Sequence, residues 1–427
     1  MSNHVPLSSR TICPLVLDRM TNATLARTNI TLPLLYVVLM QGVAWLTGVG
    51  CAAWLFVVDM RAFRLSHGLS INGNALIGRD FANIWSAGQL VIEDKLSILY
   101  SPLAYQAWQT GHFGGGIRDH NYSYPPLTLL YTPIFGALPY VWAFALWTIA
   151  SVGLFTLAAR PWLQRAGYAP ALAVLFPSTM VCVWAGHYGL IIGALTLGAW
   201  HQLRTRPKMA GILTGLMVIK PHLAILMPLM LLRRRAWSAI AAAAVTVAVL
   251  IALSLLIFGP ALWQTWLGQT TGEQLRMASA THSFFIKMMP TSTPALFHWG
   301  LAANLVWPIQ ILIAVATGGL LWRFHPEDPH QAALATATGT FLVLPYAFNY
   351  DMTVVGLAGA LIMHRKDARD HLWRTAAGAI GFVLPAAVIF LNRQGWWIAP
   401  LLLLALLLAT LEWRRPMKTG FQHSPHD

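Results

Sequence analysis

The feature that most constrains this chain is a succession of long apolar runs separated by short basic or polar segments. A run of about 20 apolar residues can cross a bilayer as a helix, and only helices or closed barrels satisfy the backbone there. The runs that look long enough are about 32–58, 140–159, 238–257, 296–321, 375–391 and 396–411. The sequence therefore predicts an all-α polytopic membrane protein, a bundle of about 10–12 transmembrane helices.

The composition agrees with this class. Of the 427 residues, 57% are hydrophobic and only 10% are charged, and the formal net charge is +14. The basic residues cluster between apolar runs, which favours orientation by the positive-inside rule over nucleic-acid binding, with anionic lipid head groups as a secondary partner. We expect a cytoplasmic segment at 1–31, a transmembrane domain at 32–413 and a cytoplasmic tail at 414–427.

Three further apolar segments, 169–203, 209–232 and 330–363, each contain a short polar break. Basic residues or turns flank each segment, so both of its ends are expected on the cytoplasmic side and its break on the outer side. Breaks within a membrane are tolerated where they line a cavity. The breaks are Gly186–Gly189, Lys220–His222 and Phe348–Asp351. We expect all three to converge toward the first outer loop, 59–123, with the second outer loop, 258–294, opening onto the same side.

The first outer loop carries the stretch IGRDFANIWSAGQLVIEDK, Ile77–Lys95. Asp80 stands at the start of a predicted amphipathic helix, where the helix dipole keeps a carboxylate ionised. The apolar face of that helix suits a position in the membrane interface. The hypothesis is that Asp80 is the catalytic base of a membrane glycosyltransferase. The alternative is that it merely caps the helix.

Elimination among the 14 acidic residues favours Asp80. Glu93 and Asp94 adjoin Lys95 and are expected to be solvated, and Asp351 is expected to cap the helix that follows it. The acids on the predicted outer side are Asp59, Asp80, Glu93, Asp94, Asp119, Glu273 and Asp351. No DxD motif, metal-ligand spacing or other catalytic motif is present, so we expect no metal or cofactor and a donor such as a lipid monophosphate sugar.

Several other side chains are candidate substrate contacts. Lys220 either holds a lipid phosphate or extends to the interface, and Arg79 pairs with Asp80, contacts phosphate or is solvated. The histidines lack metal spacing and are more often structural, and the aromatic residues stack on a sugar or anchor at the interface. These histidines and aromatic residues are His187, His222, His282, Trp85, Tyr124 and Tyr350.

An ordered set of motifs resembles glycosyltransferase family 87. They are GRDFANIWSAGQLV, LYSPLAYQAW, YSYPPLTLLYTPIFGALPY, GHYGLIIGAL, VIKPHLAILMPLMLLRRRAW, MMPTSTPAL and LPYAFNYDM, from about Gly78 to Asp351. The family contains bacterial membrane enzymes of the C-type glycosyltransferase fold. Among them are polyprenyl-phosphate-mannose-dependent mannosyltransferases that act on phosphatidylinositol mannosides.

The resemblance implies transfer of a sugar from a polyprenyl phosphate to a hydroxyl of a glycolipid or glycan. Mannose is the sugar that the resemblance favours. Transfer would occur on the outer face of the plasma (inner) membrane and would invert the anomeric carbon. The family's acidic residue falls on Asp80 as general base, and its lysine-proline motif falls on Lys220-Pro221. His187 stands where glutamine is usual, and Asn349 stands where an acid is frequent; both departures bear on the sugar or the acceptor.

Two other functions fit the membrane spans. A transporter or flippase of a lipid-linked sugar would also have broken helices, although no inverted repeat is visible. A noncatalytic scaffold would give no reason for Asp80, Lys220 and Asp351 to meet on one side.

Overall fold

The structure is a computed structural model that describes residues 32–62, 70–71, 75–114, 121–279, 284–365 and 371–411. The predicted cytoplasmic segments at 1–31 and 414–427 lie outside these residues, as does His282. The described chain is almost entirely helical. Its two strands, β1 (Ser70–Ile71) and β2 (Ala75–Leu76), form a small antiparallel hairpin that pairs Ser70 with Leu76.

The helices are numbered in chain order. The first nine are α1 (Leu32–Ala62), α2 (Phe81–Ile92), α3 (Pro102–Phe113), α4 (Thr132–Gly136), α5 (Tyr140–Arg165), α6 (Pro177–Ala185), α7 (Gly189–Gln202), α8 (Pro207–Leu216) and α9 (Leu226–Arg233). The others are α10 (Trp237–Phe258), α11 (Pro260–Ser279), α12 (Ser292–His298), α13 (Ala303–Arg323), α14 (Pro329–Val343), α15 (Thr353–Met363), α16 (Leu372–Arg393) and α17 (Ala399–Leu411). Short 3₁₀ turns are Leu96–Ile98, Pro126–Leu130, Pro170–Leu175, Met217–Ile219, Pro221–Ala224, Phe285–Met288 and Asn349–Asp351.

Among the described residues, five helices are long and apolar enough to cross a membrane: α1, α5, α10, α13 and α16. They match five of the six long runs expected from the sequence. The sixth run folds as the shorter apolar helix α17, and α15 and the helical segments on either side of Lys220 are also short. The predicted class, an all-α polytopic membrane protein, is confirmed.

All three predicted breaks are present. The first separates α6 from α7, the second separates α8 from α9, and the third separates α14 from α15. Gly186 provides the first with a left-handed backbone at φ +65°, and Pro221, which lacks an N–H, starts the 3₁₀ turn of the second. Each interrupted segment therefore consists of two α-helices joined by a turn or a short 3₁₀ segment.

The first and third breaks touch each other directly. The Thr353 hydroxyl donates to the Gly189 carbonyl at 2.9 Å, and a Cβ on Gly189 would lie only 2.0 Å from the Tyr350 carbonyl oxygen. The third break is also held to α16, because the Asn349 amide donates to the Pro385 carbonyl at 2.8 Å. A carboxylate cannot donate this hydrogen bond, so the structure gives the unexpected asparagine a structural role.

The prediction that α2 lies in the membrane interface is wrong. Nine of its residues are buried, and its apolar side contacts protein. Gly88 lies so close to α4 that a Cβ there would be 2.2 Å from the Thr132 carbonyl oxygen. Phe81 packs among the aromatic rings of α4 and α5, with ring centroids 5.4–6.0 Å apart. The helix carrying Asp80 is thus a fixed part of the core.

Candidate functional site

The turn Gly78-Arg79-Asp80 is bent tightly by two consecutive left-handed residues. Gly78 has φ +76° and Arg79 has φ +42°. The Arg79 amide donates to the Leu76 carbonyl at 2.9 Å, and the Phe81 amide donates to the Gly78 carbonyl at 2.8 Å. A non-glycine residue at positive φ costs on the order of 1–3 kcal/mol, so other contacts must hold Arg79 there.

Asp59, at the end of the first span, provides those contacts. Its carboxylate accepts hydrogen bonds from Nε and Nη2 of Arg79 at 2.7–3.1 Å and from Nε1 of Trp184 at 2.7 Å. The Arg79 guanidinium lies over the Trp184 ring, 4.2 Å from its centroid. Arg79 therefore pairs with Asp59, a partner that was not among the three alternatives expected from the sequence. The bidentate pair fixes the turn that presents Asp80.

The same turn is bound to the first break. The Asp80 amide donates to the Ala185 carbonyl at 3.0 Å, and a Cβ on Gly186 would lie 2.0 Å from the Gly78 carbonyl oxygen. Only glycine fits this approach at this backbone angle. The contact places Asp80 beside His187.

Lys220 and Asp351 form a buried ion pair between the second and third breaks. The Lys220 Nζ lies 2.7 Å from both Asp351 carboxylate oxygens and 3.2 Å from Nδ1 of His187. The side chains of Lys220 and Asp351 are 6% and 0% exposed. Lys220 therefore does not extend to the interface; its ammonium donates to both carboxylate oxygens and shares Nδ1 of His187 with the Tyr188 amide. The expected capping by Asp351 is also wrong, because α15 has no side-chain cap.

The hydrogen bonds of His187 fix its tautomer. The Tyr188 amide donates to Nδ1 at 2.8 Å, so Nδ1 is the acceptor and the neutral ring carries its proton on Nε2. Nε2 lies 2.7 Å from the Tyr124 hydroxyl oxygen and 3.9 Å from Oδ2 of Asp80. The ring thus lies between the buried ion pair and Asp80.

Asp80 is the outermost acid of this group. Its side chain is 20% exposed, and it makes no capping hydrogen bond to α2. The alternative role as a side-chain cap is therefore wrong. With Asp80 and Asp351 ionised and Lys220 protonated, the three charges sum to −1. The charges of Lys220 and Asp351 cancel, and the partly exposed Asp80 carboxylate carries the net charge.

Tyr350 covers one face of His187. The two rings are stacked with centroids 4.2 Å apart, and Phe348 stacks on Tyr350 with centroids 5.1 Å apart. Tyr350 is buried, so it fixes the imidazole plane. The structure thus brings together six of the predicted site residues: Asp80, Tyr124, His187, Lys220, Tyr350 and Asp351.

Other predicted residues lie differently. Trp85 is packed between Phe113 and Tyr140, with centroids 5.2 and 5.7 Å away, and its Nε1 donates to the Leu138 carbonyl. It is a core residue and does not join the cluster. The His222 ring adjoins Tyr346, with centroids 5.5 Å apart. Along the chain, His222 is two residues after Lys220. Among the described residues no His, Cys, Asp and Glu group has the arrangement of a metal site.

Comparison with known proteins places this arrangement in a family. Residues 122–345 match the model of glycosyltransferase family 87. The chain belongs to this family. No curated protein and no solved structure gives a significant match. The coarse function expected from the sequence, a membrane glycosyltransferase, is confirmed by the family.

The family 87 match contains the first two breaks and ends before the third. Tyr124, His187 and Lys220 lie within it, whereas Asp80 and Asp351 lie outside. The geometry nevertheless joins all five residues in one cluster.

Asp59 and Trp184 are the site-supporting residues that the sequence analysis missed. Asp59 was among the acids of the predicted outer side, and its place at the end of an apolar run was an available signal. Nothing in the local pattern pointed to Arg79 and Trp184 as its two donors, since Trp184 is distant in the chain.

Proposed function

We propose that this family 87 member is an inverting glycosyltransferase that uses a polyprenyl-phosphate sugar, with mannose as the first sugar to test. The acceptor is a hydroxyl of a glycolipid or glycan at the outer face of the plasma membrane. The observation that carries the proposal is the position of Asp80. It is the partly exposed carboxylate at the edge of an otherwise buried polar cluster, 3.9 Å from His187.

In the proposed reaction Asp80 is the general base. The acceptor hydroxyl oxygen attacks the anomeric carbon while its proton passes to the Asp80 carboxylate. The bond from the anomeric carbon to the phosphate oxygen breaks, and the lipid phosphate leaves with the electron pair. General-base assistance of this kind contributes about a hundred- to ten-thousand-fold in rate.

His187 and Tyr124 are proposed to help position Asp80. Because Nδ1 of His187 accepts from the Tyr188 amide, its Nε2–H faces outward. There the Tyr124 hydroxyl is 2.7 Å away and Oδ2 of Asp80 is 3.9 Å away. The polar edge of the ring and the Tyr124 hydroxyl thus form one wall of the space in which the Asp80 carboxylate lies.

Lys220 is proposed as a positioning residue. Its donors are directed at Asp351 and His187, so binding a donor phosphate would require it to give up one of these acceptors. This geometry supports an indirect role, in which Lys220 and Asp351 together hold His187. Arg79 is likewise held by Asp59 and is proposed to position Asp80.

The test is a transfer assay with purified full-length protein in nanodiscs, polyprenyl-phosphate mannose and a panel of glycolipid acceptors. Asp80→Asn is compared with wild type and with Asp94→Asn, an exposed acid of the same loop at φ +55° where asparagine is tolerated. We expect a heavier glycolipid from wild type and Asp94→Asn, and a loss of at least about a hundredfold in Asp80→Asn.

Near-normal turnover in a folded Asp80→Asn protein would overturn the assignment of the base. An unchanged lipid-linked sugar appearing in the opposite leaflet, without a new glycosidic bond, would instead indicate a flippase.

A further inference from the structure

Two arginine side chains far from the Asp80 cluster converge on one carbonyl oxygen. Arg204, just after α7, donates from Nη2 to the Glu327 carbonyl at 2.8 Å. Arg234, just after α9, donates from Nη2 to the same oxygen at 3.0 Å and to the Pro326 carbonyl at 2.7 Å. Two cations thus share a neutral acceptor, an arrangement in which they repel each other.

Among the described residues, the neighbouring acids Asp328 and Glu327 partly offset the charge of Arg234 but form no ion pair with it. Asp328 contacts Arg165 at 3.4 Å and His330 at 3.3 Å, and the Glu327 side chain is exposed. Among the described residues, no carboxylate lies within ion-pair distance of Arg204 or Arg234. Burial, and next the charge of Arg204, lower the pKa of Arg234 to about 10.

Among the described residues, two buried N–H donors, one on Arg234 and one on the ring next to it, have no hydrogen-bond partner. They are Nε of Arg234 and Nε1 of Trp200. The Trp200 side chain is fully buried, and the Arg234 guanidinium lies 5.0 Å from the centroid of its ring. Buried donors in native proteins are nearly always paired. These two donors lack an acceptor, and a group with negative charge and more than one oxygen could supply one.

The position of the group limits what could supply that acceptor. Helix α7 starts at the first break and α9 follows the second, so both arginines lie at the helix ends farthest from the breaks. The 14 residues of α7 put about 21 Å between the two ends. Nearby, Trp322 and Phe324 are 41% and 43% exposed, as is common for aromatic residues at a bilayer interface.

We propose that Arg204, Arg234 and Trp200 form a binding site for a phosphate group at the end of the bundle opposite Asp80. A phosphate could accept hydrogen bonds from both guanidinium groups and relieve their repulsion. The same chemistry is offered by the head group of an anionic phospholipid and by inorganic phosphate, and the site is independent of the glycosyl transfer proposed above.

The test measures thermal unfolding of the delipidated full-length protein in neutral detergent. One arm titrates short-chain phosphatidylglycerol, with short-chain phosphatidylcholine as control. The other arm titrates sodium phosphate against sodium chloride at matched ionic strength. A ligand that binds the folded state raises the unfolding temperature with concentration. Stabilisation by the phospholipid alone assigns the site to a head group, and stabilisation by phosphate alone assigns it to the free anion.

Three variants locate the effect. Arg204→Gln removes one guanidinium, and Trp200→Phe removes the indole N–H but keeps an aromatic ring. Each is expected to raise the half-maximal ligand concentration by about tenfold or more, the effect of losing one hydrogen bond to a charged group. Arg234 also anchors the Pro326 loop, so it is not used. Arg206→Gln, an exposed cation two residues from Arg204, is the matched control and should titrate like wild type.

The proposal is overturned if neither phosphatidylglycerol nor phosphate stabilises the protein beyond its control. It is also overturned if Arg204→Gln and Trp200→Phe titrate like wild type, or if Arg206→Gln weakens binding as much as Arg204→Gln, since binding would then be diffuse.

Discussion

The Lys220 ammonium lies 2.7 Å from each carboxylate oxygen of Asp351, and this ion pair forms the buried end of the candidate site. The two residues come from different interrupted segments, so the pair joins the second break to the third. His187 from the first break completes the junction through Nδ1. The ion pair and His187 therefore link all three breaks.

Removing one partner of this pair should destabilise the protein strongly. Lys220→Met leaves the Asp351 carboxylate buried without a cation, which costs about 3–5 kcal/mol. The double variant Lys220→Met/Asp351→Leu removes both charges and should recover most of the stability. Thermal unfolding in detergent measures both effects.

The double variant should remain inactive, because His187 has lost its contact with Lys220, one of those that hold the ring beside Asp80. Transfer assays on the purified, folded double variant check this expectation. Wild-type turnover there would refute the positioning role of Lys220.

Two replacements of His187 should separate the effect of its hydrogen bonds on kcat from the effect of its size. In His187→Gln the amide oxygen can accept from Lys220 and Tyr188, and the amide nitrogen can donate toward Tyr124. We expect its kcat to stay within about tenfold of wild type, whereas His187→Leu leaves these donors unpaired and should lose about a hundredfold or more. Equal losses in kcat for both variants would show that the imidazole itself takes part.

Gly186→Ala should displace the Asp80 turn. A Cβ at this position would lie 2.0 Å from the Gly78 carbonyl oxygen, and the residue also has φ +65°. Gly167→Ala is the matched control, because Gly167 has φ +83° but nothing within 4 Å of its Cβ position. Both variants bear the cost of positive φ, about 1–2 kcal/mol. Only Gly186→Ala should also lose turnover and several further degrees of thermal stability.

The Asp59–Arg79 pair should be coupled in a double-mutant cycle. Asp59→Asn and Arg79→Gln each release the strained turn before Asp80, and we expect an interaction energy of about 1–3 kcal/mol in stability. The exposed pair Glu93–Lys95, 2.9 Å apart, is the control and should give about 0–1 kcal/mol. A coupling no larger than in the control would mean that Asp59 does not hold the turn.

The sequence was sufficient for the breaks and their convergence. Glycine, proline and polar residues within apolar segments have few solutions in a membrane, and basic residues at both ends of each segment predict that the breaks share one side. This reasoning brought His187, Lys220 and Asp351 together correctly. It could not assign their hydrogen bonds, because those depend on distances of a few tenths of an ångström.

Local reasoning failed where the partner is far along the chain. Asp351 resembled a helix cap because it precedes α15, yet its partner is Lys220. Trp85 and the apolar face of α2 resembled an interfacial helix, since buried and lipid-facing surfaces have the same composition. Arg79 adjoins Asp80 in sequence, but the left-handed turn directs it to Asp59. Each error arose from a tertiary contact that no local pattern encodes.

The Lys220–Asp351 pair also has a consequence for biosynthesis. The two residues are 131 positions apart, and at about 5–20 residues per second a ribosome needs roughly 7–26 s to synthesise that interval. During this time the lysine has entered the bilayer region without its counter-ion, which disfavours deep insertion of its segment. The two short helices around Lys220 should therefore settle into the bundle only after the third interrupted segment has been made, so a chain truncated before Asp351 should be an early substrate for membrane quality control.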